Sequence, residues 1–102
     1  MKKLTIKTID EFETYLREAA IEEMANDNAF LDNSMDKFIN KIKTEVGSVT
    51  DFDYTELNHC EDGKVDFEKV DVVTINIDFK TYWVKLIANL VTREIAIGSV
   101  EL

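Results

Sequence analysis

Proline is absent from this chain, where about five would be expected at average usage. Cysteine occurs once, as Cys60, so no intrachain disulfide and no four-cysteine zinc site can form. A chain without disulfides suits a reducing compartment, and a cytoplasmic location is expected. Histidine also occurs once, as His59, which leaves no second imidazole for a metal pair or a base. The three glycines, Gly47, Gly63 and Gly98, lie far apart, so no glycine-rich loop can cradle a phosphate. No long apolar run exists. Met1-Lys2-Lys3 is not followed by an apolar stretch of ~7–15 residues, so neither a secretion signal nor a membrane span is expected. A basic excess is lacking too. The formal net charge is −9, which argues against direct nucleic-acid binding, since that needs a basic face.

What remains is a chain of 102 residues, the length of one small domain spanning 1–102. Hydrophobic residues make up 45%, enough for one core and inconsistent with compositional disorder. Only Arg17 and Arg93 among the twelve basic residues are arginine, and asparagine is frequent. That bias points to an AT-rich coding genome, such as that of a low-GC bacterium or its phages.

Lys3 to Lys7 has the character of a short strand. Thr8-Ile9-Asp10-Glu11 then forms a capping-box pattern, Thr8 accepting from the Glu11 N–H and Glu11 reaching back. A helix to about Ala25 follows, with Ile9, Phe12, Leu16, Ala19, Ala20 and Met24 near one face. Asn26-Asp27-Asn28 breaks it. Asn33 or Ser34 is expected to cap a second helix to about Val46, with Met35, Phe38, Ile39, Ile42 and Val46 at helical spacing and Gly47 at the terminating position.

After Gly47 the apolar period changes to two. Asp62-Gly63 is a hairpin signal. A two-residue loop there pairs Cys60 with Val65, Glu56 with Lys69 and Phe52 with Val73. A tight turn at Lys80-Thr81 sets Ile77 against Val84 and Ile75 against Leu86. Trp83, Leu86, Ile87, Leu90 and Val91 also fit a helix. The crowding of β-branched and aromatic residues favours a strand instead. Arg93 to Leu102 forms the last strand. The expected class is α+β, with two N-terminal helices on one face of a mostly antiparallel sheet of four to five strands.

The negative charge is concentrated. Residues 8–33 carry −7 and residues 48–71 carry −6, whereas residues 72–102 sum to zero. Such zones either keep a small protein soluble or steer it to a basic partner. Glu18, Glu22, Asp53, Asp62 and Asp66 sample both zones and are the expected partner-binding acids. Trp83, Ile87 and Val91 would share the sheet face away from the main apolar row. Trp83 is the candidate apolar anchor, for a target or for an identical subunit.

Catalytic and metal constellations are weak. Aligned as a calcium loop, Asp51 to Asp62 puts Glu56 where glycine is required and Asp62 where glutamate is required. His59 and Cys60 are strand neighbours and point to opposite faces. A surface histidine near Asp66 is the expected role of His59. Glu22-Glu23 and Glu61-Asp62 would need a pocket for acid–base work, which a chain this short rarely encloses. No catalytic residue, metal ligand or cofactor is expected.

In small size, acidity, lack of catalytic residues and AT-rich composition, the chain resembles the small acidic phage-borne inhibitors, which include anti-CRISPR proteins and DNA mimics. The resemblance implies a non-enzymatic inhibitor that masks a basic nucleic-acid-handling protein, such as a defence nuclease. An immunity protein or antitoxin against a nuclease toxin follows the same electrostatic logic. A small metal-dependent enzyme and a phage structural subunit are the alternatives of other classes.

Overall fold

A computed structural model describes residues 8–46 and 49–102. The expected strand at Lys3–Lys7 and the terminating Gly47 lie outside these residues. Helix α1 spans Ile9–Met24 and α2 spans Asn33–Glu45. Strands β1 (Val49–Glu61), β2 (Lys64–Phe79), β3 (Tyr82–Asn89) and β4 (Glu94–Glu101) follow. They form one antiparallel sheet in sequence order. The α+β class and the assignment of residues 82–89 to a strand therefore hold. Both pairs expected across the Lys80-Thr81 turn are present, Ile77 with Val84 and Ile75 with Leu86.

Thr8 caps α1, its side-chain oxygen accepting from the Glu11 N–H at 3.1 Å. The helix buries Phe12, Leu16, Ala19 and Ala20. Helix α2 starts differently from expectation. Asn33 and Ser34 lie inside it, and Asp32 occupies the capping position without a side-chain bond. The Ser34 hydroxyl instead donates to Glu23 Oε1, the same oxygen that accepts from the Phe30 N–H at 3.1 Å. One carboxylate thus ties the end of α1 to the start of α2. It holds Phe30 at φ 61°, a conformation bulky residues rarely adopt. In return the Phe30 ring is fully buried, edge-on to Phe38 at 5.0 Å.

Val73, Ile75, Ile77 and Phe79 of β2 alternate inward, as do Val84, Leu86 and Ala88 of β3. Together with the buried residues of both helices they form a single core. Phe12 packs edge-on to Phe79, with ring centroids 4.7 Å apart. Helix α1 packs across β3 and β4. The opposite sheet face carries Trp83 and Ile87, as expected. Val91, expected beside them, instead lies in the β3–β4 turn. There Asn89 Oδ1 accepts from the Val91 and Thr92 N–H groups at 3.0 Å each.

The β1–β2 register needs correction. Asp62 and Gly63 both have positive φ, 53° and 76°, as a two-residue hairpin loop requires. Cys60 pairs with Val65 and His59 with Asp66, as the loop dictates. Asn58, however, pairs with Val70, so Phe67, Glu68 and Lys69 have no partner on β1. A further shift falls at Asp71, between the Asn58–Val70 and Leu57–Val72 pairs. Glu56 consequently faces Val73, not Lys69, and Phe52 faces Ile77, not Val73. From Asp51 to Leu57 the displacement is an even number of residues, so Phe52 stays on its intended face, opposite a buried residue of β2.

Candidate functional site

Strand β2 has two environments. From Val72 to Asp78 it pairs with both β1 and β3. Before Val72 it pairs with β1 alone, and residues 61–69 are all exposed. Asn58 to Asp71 therefore form a two-stranded arm projecting past the ends of β3 and β4. An isolated two-stranded hairpin is marginal in water, so its local bonds matter. Asn58 Nδ2 donates to the Phe67 and Lys69 carbonyls at 3.4 and 3.3 Å, filling the gap left by the unpaired residues. Asp66 Oδ1 accepts from the Glu68 N–H at 3.0 Å and turns the bulged segment. Phe67 is presented outward at 82% exposure.

His59 does not serve Asp66, the residue opposite it. Its Nδ1 lies 2.9 Å from Asp71 Oδ2, and Nε2 lies 3.6 Å from Glu61 Oε2. The hydrogen bond to Asp71 and that carboxylate's charge raise the imidazole pKa above 6.5, helped by Glu61 and opposed by desolvation and, least, by Lys69. His59 thus ties the tip of the arm to its root. At the root, the Asp71 carbonyl accepts from the Leu90 N–H at 2.8 Å. The Asp71 Oδ1 atom is shielded and has no hydrogen-bond partner among the described residues. Cys60 is exposed.

All five expected acids are exposed, and they fall into two groups. Asp53 lies in β1 and accepts from Asn76 Nδ2 at 3.0 Å. Asp62 is in the loop, and Asp66 pairs with His59 just before the bulge. Glu18 and Glu22 lie on α1, where Glu22 pairs with Lys41 at 3.1 Å. Helix α1 covers β3 and β4, while the arm grows from β1 and β2, so the groups belong to opposite edges of the sheet. The end of α1 and the root of the arm share one end of it. Arg93 Nη1, in the β3–β4 turn, reaches Met24 Sδ at 3.9 Å, and that same turn bonds to Asp71 at the arm root. Trp83 is half-buried on the outer face, opposite Asp78 and Val100, with the Lys85 ammonium 5.5 Å from its ring centre. Asp53 lies on the same face, its partner Asn76 pairing with Lys85. The exposure of Phe67 was not legible in the sequence, because it follows from the unpaired residues of β2.

Among the described residues, no group of three His, Cys, Asp or Glu side chains is placed to hold a metal ion. No described helix is long and apolar enough to cross a membrane. Comparison with protein-family models, with curated proteins and with solved structures finds no match to this chain.

Proposed function

We propose that the chain is a non-enzymatic binding protein that masks a basic, nucleic-acid-handling protein, in the manner of a phage-borne inhibitor of a host defence nuclease. The arm carries this proposal. Within the arm, from Asn58 to Asp71, five acids face only Lys64 and Lys69, on a segment that contributes no buried side chain. A core would not need such a segment. A cationic groove that normally takes phosphates would attract it, and desolvated charge would add to a partner's specificity. An exposed phenylalanine among acids supplies the apolar centre that charged rims usually surround.

The test is association kinetics with the target recovered from host lysate, at low and high salt. The variant is Glu18→Gln, Glu22→Gln, Asp53→Asn, Asp62→Asn and Asp66→Asn combined. Amides keep the hydrogen bonds of Asp53 and Asp66, and asparagine tolerates the positive φ of position 62. Slower, less salt-sensitive association is expected, together with competition by the target's own nucleic acid. Association that is as fast as the parent's, or indifferent to salt, contradicts the proposal.

A further inference from the structure

The two edges of the sheet are built differently. Edge strands expose unpaired N–H and C=O groups and are normally blunted by charge, proline, bulges or irregular pairing. Strand β1 is blunted: Asp51, Asp53 and Glu56 stud it, and its register with β2 shifts three times. Strand β4 is not. It pairs with β3 without a shift from Glu94 to Glu101. Ile95 to Val100 carry no charge, and the chain has no proline. Among the described residues nothing pairs with its outer side.

Charge stands only at its ends, as Glu94 and Glu101, both exposed. The Glu101 end is reinforced by Asp10, which shares a cleft of about 740 Å³ with Thr8, Tyr82, Ser99 and Glu101. Arg93, beside Glu94, is directed to Met24. A second copy fits this edge badly. Full two-fold pairing of β4 with itself would set Glu94 of each copy against Glu101 of the other, and like charges directly opposite destabilise a strand pair. An uncharged strand with a lysine or arginine at each end fits instead. Its backbone completes the ladder, and its ends meet carboxylates.

We infer that the outer edge of β4 docks an extended, cation-ended segment of the partner as a fifth strand. This rests on the proposal that the partner is basic, but it involves a different surface from the arm.

The probe is a blocked peptide, Lys-Thr-Val-Thr-Val-Thr-Val-Lys, titrated into the full chain and followed by amide NMR shifts. Saturable shifts centred on Glu94–Glu101 are expected. A glutamate-ended peptide should bind at least tenfold more weakly, and backbone N-methylation should abolish binding. The Glu94→Lys/Glu101→Lys variant should reverse the preference between the two peptides. No saturation, equal binding of both peptides, or shifts centred on β1 would overturn the inference. So would slow hydrogen exchange along the whole of β4 in the dilute free chain, because the edge would then already be paired. Amides in place of Asp53, Asp62 and Asp66 should leave this titration unchanged. Peptide docking at β4 with no effect of those amides on partner association would sink the masking proposal alone. The converse result would sink only the edge.

Discussion

The two halves of β2 are one continuous strand under opposite physical regimes. From Val73 to Phe79, alternate side chains are buried beneath the helices. From Lys64 to Lys69, every side chain is exposed and the pairing is broken by unpaired residues. In the first half burial of apolar area holds the chain. In the second, a two-residue loop and a few side-chain hydrogen bonds do so. The stability of the arm and that of the body can thus be altered separately, since local opening of such an arm need not melt the core.

The sharpest way to break this contrast is to damage the buried half. Ile75 is fully buried between Tyr54 and Leu86. Ile75→Ala should cost about 2–5 kcal/mol in denaturant unfolding and destabilise arm and body together. Glu23→Ala comes next. It leaves the Phe30 N–H and the Ser34 hydroxyl without their shared carboxylate, and a loss of about 1.5–3 kcal/mol of global stability is expected.

The exposed half should respond locally. Gly63→Ala forces a side chain into a backbone with φ 76°, at a cost of about 1–2 kcal/mol. The loss should appear as faster hydrogen exchange in residues 58–71, with little change in the melting temperature of the body. The smallest effect concerns His59. Its folded pKa is raised chiefly by the hydrogen bond to Asp71, so its contribution is complete below pH 6.5. It is lost as pH rises through the folded value. Protection of the arm amides, corrected for the intrinsic rise of exchange with pH, should fall over that interval, and Asp71→Asn should bring the NMR titration of His59 back towards 6.5. A global transition in either experiment would show that arm and core are one cooperative unit.

Much of the buried half was legible before the structure. Thr8 announces its helix by a local pattern, and Val73 to Phe79 by strict alternation. The Lys80-Thr81 turn sets its neighbours' register, because no irregularity intervenes. The arm was legible only near its loop. Pairing extrapolated from Asp62-Gly63 fails beyond His59, because the unpaired Phe67, Glu68 and Lys69 depend on Asn58 reaching across the strands. The burial of Phe30 was hidden for a similar reason. Its backbone conformation depends on Glu23, a contact made through folding and not through local propensity. The acids were easily counted, but their division between α1 and the arm required the sheet order.

The most direct test separates those two groups of acids. Association with the recovered target would be measured at low salt for Asp62→Asn/Asp66→Asn, both in the arm, and for Glu18→Gln/Glu22→Gln. If the arm is the recognition element, the first variant associates about tenfold more slowly or worse and loses much of its salt dependence. The second stays close to the parent. Parental association by the arm variant, with stability unchanged, would contradict the account and leave the arm's charge as a solubility feature.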